Sequence, residues 1–502
     1  MTHKKKYLRG TGSFKRFIYL SCSLLLLVSR VSFAEFPEMP DADYQQFLKE
    51  FKLKPTLLAD KPELVGKLSP DQLSGAIEYL GLSHYSFLHP VLIKGEEVPA
   101  ILNQPIKDYS IMSVRGGQLV PVPFQFDEKD TKGFVYLEDH AKLEGTKGIV
   151  DPNDEVVFMY RDSSEARFDA ETMSLEEGEV IKEFEFNLDE TQRFVYLVKG
   201  SKLRTESDYV SYEMDTSTAK SYFYGFRTRT DNFLMFEDFY ANIGDRQGAR
   251  VLDSVFAVIE TKVLSKWSPT IHLNTFEDIK AVPLGVISGP VREAVIISLN
   301  VVVAGVTVFK INAQMDIFDQ MLGFNAKINI PGADILTRFL VEPHIIIALD
   351  FNEQQGARVN TAISQDPNGF AIVDGKLSDF EKDMDIDRQN TWIWLSSAHA
   401  WDVFARINIP DTFPVGVQLY YQDDPKDTVK FESFAGAYPR MGFDVYELPK
   451  NFDEIDLDVQ FFFPDTLGGI GPQDFKDKEA GNPPQLTVNA IDSSAAFTAD
   501  VL

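Results

Sequence analysis

Cysteine is almost missing from this chain: 502 residues contain one, Cys22. It falls in an N-terminal stretch read below as removed, which leaves a mature protein with no disulfide, thiolate nucleophile or Cys-ligated metal. Histidine is also scarce. His84, His89, His140, His272, His344 and His399 form neither a His-x-His nor a His-Glu-x-x-His pair, which argues against zinc. A Gly-x-Ser-x-Gly elbow, a phosphate loop and a dinucleotide fingerprint are all absent. Past the N-terminus no apolar run reaches the about 20 residues that a membrane helix needs. Positive charge is short: 49 Lys and Arg stand against 76 acids, a formal net charge of −27. That balance excludes nucleic acid and anionic membrane surfaces as partners, since both are polyanions. It suits a soluble exported protein, and it suits cation binding.

The basic residues that exist are crowded at the start. Lys4, Lys5, Lys6, Arg9, Lys15 and Arg16 precede FIYLSCSLLLLV, Phe17 to Val28, and Ser32-Phe33-Ala34 follows. A basic segment, a short apolar core and small residues at the cleavage positions make a secretory signal peptide. Cleavage after Ala34 is expected, placing the protein in the periplasm, at the outer membrane or outside the cell. The removed piece has seven Lys or Arg and no acid, so the formal charge goes from −27 to −34.

The mature chain opens with helical spacing. Asp41 is placed to cap a helix carrying Tyr44, Phe47, Leu48 and Phe51 on one face, and Ser69-Pro70-Asp71 starts another that carries Leu73, Ile77 and Leu80 and ends at Gly81. From Val91 short alternating runs separated by Gly, Pro and Asp turns read as strands, and Phe and Tyr abound, 40 and 18. The expectation is a mainly β protein: antiparallel β-sandwich domains behind a short N-terminal helical segment. Its parts are a signal peptide (1–34), a helical preface (35–90), a smaller β domain (91–205), a large β-sandwich domain (206–465) and a tail (466–502), in which QLTVNAI can supply one last strand.

The most apolar run is Val295 to Phe309. Val and Ile crowd it and Ala304-Gly305 interrupts it, so it reads as two buried strands or one long bent one, not as a membrane helix. Phe339 to Phe351 reads as its partner strand, with His344 as a satisfied core residue.

Two constellations can carry chemistry. The first is PVPFQFDEKD…GIVDPNDEVVFMY, where Asp127, Asp130, Asp151, Asn153 and Asp154 place hard oxygen ligands on adjacent turns, as Ca²⁺ requires. The spacing is not that of an EF-hand, and Asp-Pro-Asn-Asp also simply makes a turn. The second is Trp392, Trp394, His399, Trp401 and Arg406, aromatics beside a His and an Arg that can line a sugar cleft. Alternation puts Trp392 and Trp394 on one face of a strand. Asp383, Asp385 and Asp387 are typical of many acids from which no glycosidase pair can be chosen.

The Pro-Phe-Gln strand followed by an Asn/Asp-Asp-Glu turn and a Val-Phe-Met strand resembles a segment of secreted bacterial β-rich proteins of unassigned function. Ser288-Gly289-Pro290-Val291-Arg292 and Trp392-Ile393-Trp394…Phe404-Ala405-Arg406 resemble strand openings in the β-supersandwich domains of galactose-mutarotase-like and polysaccharide-lyase-like proteins. The second resemblance implies architecture; no catalytic residue of those families has a counterpart here. The expectation is an exported protein that binds a glycan or another envelope component without turning it over. A carbohydrate-active lyase or hydrolase, and an envelope assembly factor, are the alternatives.

Overall fold

The computed structural model describes residues 38–188, 191–242, 251–303, 305–328, 340–366, 369–397, 402–424, 437–449, 455–464 and 485–491. The signal segment, with Cys22, lies outside them.

The helical preface forms as its spacing predicts. In the helix Asp41–Leu53, Phe47, Leu48 and Phe51 are buried, and the rings of Tyr44, Phe47 and Phe51 stack in sequence at 6.2 and 5.2 Å. Asp41 does not cap it. Pro40 occupies the cap position, and Asp41 and Asp43 lie in the first turn, where their charge favours the helix N-terminus. The helix Pro70–Tyr79 has a full capping box: Ser69 Oγ accepts from Gln72 N–H at 3.2 Å, and Gln72 Oε1 accepts from Ser69 N–H at 3.3 Å. Gly81 follows in the left-handed region, at φ +70°.

The rest is mainly β, and every strand pairing among the described residues is antiparallel. Pro90–Lys94, Glu155–Met159 and Phe124–Asp127 make a three-stranded sheet. A five-stranded sheet runs Gln485–Ala490, Glu179–Leu188, Thr191–Lys199, Tyr109–Arg115, Gln118–Pro121. Its first strand comes from the stretch set apart as a tail, so the chain returns at its end to a sheet begun some 300 residues earlier. Residues 210–241 form a four-stranded meander. The large body has a second five-stranded sheet, centred on Leu252–Val263 and Leu340–Asn352, and a nine-stranded sheet from Ile279–Ser288 to Ala371–Ile372. One continuous apolar cluster joins the preface to both, from Phe51 through Val295 to Phe463. Burying each such side chain contributes about 1.5–3 kcal/mol. No helix among the described residues is long and apolar enough to cross a membrane.

The apolar run is a β-hairpin in the nine-stranded sheet. Glu293–Val303 pairs with Val306–Ile317, and Gly305, at φ +81°, sits in the turn. Burial is uneven: Val295 and Ile297 are fully enclosed and Val302 only half so, while Val303 and Val306 at the tip are 41% and 64% exposed. Leu340–Asn352 is not its neighbour. It belongs to the other sheet, between Leu252–Val263 and Ala437–Tyr446. His344 is also not a core residue; its side chain is about a third exposed, Nδ1 lies 2.9 Å from Asp444 Oδ1, and the ring stacks on Tyr446.

Candidate functional site

The five residues expected to hold calcium do not converge. Asp130 Oδ1 accepts from Lys132 N–H and Phe134 N–H at 2.8 and 3.0 Å, closing its own turn. The Asp151 carboxylate accepts from Thr146 N–H, and Asn153 Nδ2 donates to Glu144. Asp154 caps two backbone N–H groups, of Lys129 at 3.0 Å and Asp151 at 2.7 Å, and burial raises its pKa to about 6 despite them. Among the described residues no three His, Cys, Asp or Glu are grouped as metal ligands. The turn chemistry of Asp-Pro-Asn-Asp accounts for their placement.

Asp127 does something the spacing did not reveal. Its Oδ2 accepts from Nε and Nη2 of Arg292, at 2.9 and 2.5 Å, and Gln125 Nε2 bonds both its oxygens. Arg292 Nη2 also reaches Glu155 at 2.8 Å, Lys129 pairs with Glu155 at 2.8 Å, and Asp316 stands 3.8 Å from Arg292. Gln125 Oε1 accepts from the N–H groups of Val291 and Arg292. A Cβ on Gly289 would lie 2.2 Å from that oxygen, so glycine is required for the close approach. The two segments singled out separately in the sequence, around Phe124–Asp127 and Gly289–Arg292, are therefore one buried hub joining the small sheet to the nine-stranded one. Nearby carboxylates raise the pKa of Arg292 although burial opposes them. This is a structural clamp, its charges paired with one another.

Trp392 precedes and Trp394 lies within one strand, Ile393–Ser396, but both are core residues, 3% and 5% exposed. Trp392 stacks on Phe404 at 5.9 Å. Rings so enclosed offer no face to a sugar. Arg406 lies over Phe462 at 5.3 Å and its Nε donates to Gln460 at 2.8 Å. His399 and Trp401 lie outside the described residues. Among the described residues Trp267, passed over in the sequence, is the exposed tryptophan, at 96%.

A different place has the geometry of a binding site. A cavity of about 260 Å³ opens where the end of the first helix meets the five-stranded sheet of Tyr109–Arg115 and Thr191–Lys199. Lys52, Arg115 and Arg193 bring three cations to it, Glu165 one carboxylate, and Leu53, Pro55, Leu80 and Val114 an apolar wall. The hairpin Arg115↔Gln118 turns through Gly116 and Gly117, both at positive φ, a two-residue turn that glycine permits. The pairing of these two strands runs from Tyr109↔Lys199 to Met112↔Tyr196; beyond it Ser164 takes Phe194 as its partner, and both Arg115 and Arg193 reach Ser163. Like charges brought close together are destabilising unless held by other partners. Here backbone carbonyls hold them. Arg193 donates to Leu80 O at 3.0 Å, Ser163 O at 2.7 Å and Ser163 Oγ at 2.9 Å. Arg115 Nη2 donates to the carbonyls of Asp162 and Ser163, both at 2.9 Å, and of Arg161 at 3.4 Å. Among the described residues Nη2 makes all the hydrogen bonds of Arg115, and Nε and Nη1 have no protein acceptor. Burial lowers the pKa of Arg115 to about 10, opposed by Asp162 and aided by Arg193, and burial lowers that of Arg193 as well. Below the floor, Arg161 turns the other way, onto Asp319 and the rings of Tyr209 and Phe87. Asp162 Oδ1 accepts from Tyr209 O–H at 2.7 Å, and burial raises its pKa to about 6.

No protein-family model and no curated protein matches the chain. Solved structures similar to it include an alpha-mannosidase from Enterococcus faecalis V583, 10% identical, with 84% of this chain covering 48% of that one at a TM-score of 0.41. A glycosyl hydrolase family 38 protein from Enterococcus faecalis is 9% identical, with 81% of this chain covering 46% of that one and a TM-score of 0.39. A putative aldose 1-epimerase from Escherichia coli K12 is 8% identical over 51% of this chain and 99% of that one, with a TM-score of 0.28. The chain spans about half the length of the two hydrolases. These likenesses establish no family.

Proposed function

We propose that the chain is an exported binding protein for an acidic glycan of the cell envelope, taking one anionic group in the Arg115–Arg193 cavity. The observation that supports this is the gathering of Lys52, Arg115 and Arg193 around one cavity in a chain of net charge −27. Surplus acids give solubility, whereas three cations around one cavity run against the composition. Its volume, about 260 Å³, is below the range of drug-sized pockets and matches a single sugar ring or head group. Leu53, Pro55, Leu80 and Val114 give the apolar side of a sugar a surface, and the cations take its charge. Export follows from the N-terminal segment: the mature protein begins at Glu35, which N-terminal sequencing of the exported form tests.

Isothermal titration with a trimer of galacturonic acid, and with the neutral galactose trimer, tests the ligand. The acidic trimer binds and the neutral one does not. Lys52→Glu, at an exposed position, abolishes that difference without unfolding the protein. Equal affinity for both trimers, or an unchanged Lys52→Glu variant, rules the reading out.

A further inference from the structure

The single carboxylate in the cavity belongs to Glu165, and its position is unusual. Its side chain is 53% exposed, yet Oε1 lies 3.5 Å from Nη1 of Arg193, which is 4% exposed. That is an ion pair of loose geometry, longer than a charge-assisted hydrogen bond of about 2.7–2.9 Å. Arg193 is already held by three other acceptors, so Glu165 is not needed to keep it in place. Gly81 makes room for the carboxylate: a Cβ there would lie 2.2 Å from Oε1 of Glu165 and 3.7 Å from Nη1 of Arg193. Glycine at 81 thus has two functions, ending the helix at positive φ and letting Glu165 fold over the arginine.

We propose that Glu165 is an internal competitor, occupying the seat that a ligand carboxylate takes, and that ligand entry swings it out to solvent. This rests on the cavity being the binding site. It narrows the ligand to a group the size and charge of a carboxylate, such as a uronic acid, because a carboxylate already fills the seat. Selectivity follows: a ligand must out-bind the protein's own acid, so neutral and weakly anionic sugars are rejected. Half-exposed ion pairs of this kind are weak, and the competition sets affinity without closing the site.

The test is titration of the purified full chain with the galacturonate trimer and its fully methyl-esterified form, in the wild type, Glu165→Gln, Lys52→Glu and the double variant. Glu165→Gln binds the acid about fivefold tighter, the factor expected for loss of a half-exposed ion pair. The ester gains nothing, and Lys52→Glu cancels the gain. Glu165→Gln that binds the acid no tighter, while Lys52→Glu still loses binding, overturns the competitor and leaves the cavity reading standing. Absence of acid binding in both the wild type and Glu165→Gln overturns both. Gly81→Ala gives a second readout. Its Cβ pushes the carboxylate aside, so at reduced stability it too binds the acid more tightly; weaker binding than wild type contradicts the proposal.

Discussion

Arg292 and Arg115 are both arginines set against the interior of an acidic protein, and they end in opposite situations. Around Arg292 three carboxylates, Asp127, Glu155 and Asp316, face two cations, and Gln125 locks the group to the backbone. The cavity beside Arg115 is lined by three cations and one carboxylate, and the direct partners of Arg115 are carbonyls, with the Asp162 carboxyl beneath the floor. Compensated charge deep in a fold is a joint; partly uncompensated charge beside a cavity is an invitation to a ligand. The count of charges and the free donors, more than burial, separate the two.

Breaking the joint has the largest expected effect. Arg292→Met takes the cation from the buried Asp127 and from the mostly buried Glu155 and Asp316, and costs about 3–5 kcal/mol, read as a large fall in urea midpoint or as failure to fold. Ile297→Asp in the apolar hairpin costs a similar amount by burying an unpaired charge. It is a better probe than Val302, which is only half-buried. Trp392→Ala and Trp394→Ala each cost about 3–5 kcal/mol as cavities in the core. A variant of either that melts like the parent and loses only ligand would restore the tryptophans as a binding platform.

Next comes a pH effect beneath the open arginine. Asp162 has a folded pKa of about 6, above its ordinary 3.8, because burial penalises its charge. The fold therefore favours the neutral acid: its stability contribution is full below about pH 4 and is lost as pH rises through 6. Asp162→Asn, which keeps an acceptor for Tyr209, flattens the decline in unfolding free energy between about pH 4 and 7 by up to about 3 kcal/mol. An unchanged slope would show that Asp162 ionises freely.

Smaller still, Arg115→Met removes the donor to three carbonyls and costs about 1–3 kcal/mol, while acid-trimer binding is lost completely. Lys52→Glu and Glu165→Gln change stability by less than about 0.5 kcal/mol, and all their effect is on ligand. A pocket variant as destabilising as Arg292→Met would erase the distinction between the two arginines.

Local features of the fold were legible. Ser69-Pro70 and the three- and four-residue spacing of Phe47, Leu48 and Phe51 encode their helices, and Val-Ile crowding around Gly305 encodes the hairpin, because caps and periodicity act within a few residues. Long-range partners were not. Nothing local tells Leu340–Asn352 which sheet to join, or Gln485–Ala490 that it pairs with Glu179–Leu188. The site suffered most from this. Arg115 and Arg193 sit in ordinary strand sequences 78 positions apart, and only the fold, through Ser163, brings them to one cavity. The trace that existed was an arginine at the end of each apolar run, beside Gly116-Gly117 and before Phe194. The acidic turns drew attention because carboxylates were close in sequence, yet their ligands are backbone N–H groups, which sequence does not display.

The most direct test follows the two arginines side by side. In ¹⁵N spectra of the arginine side chains, the Nε–H resonances of Arg115 and Arg292 are assigned by substitution and watched during titration with the galacturonate trimer. The account predicts a saturable shift at Arg115, none at Arg292, and none at either with the neutral galactose trimer. An Arg115 resonance that stays put at millimolar acid, or one that moves together with Arg292, would contradict it.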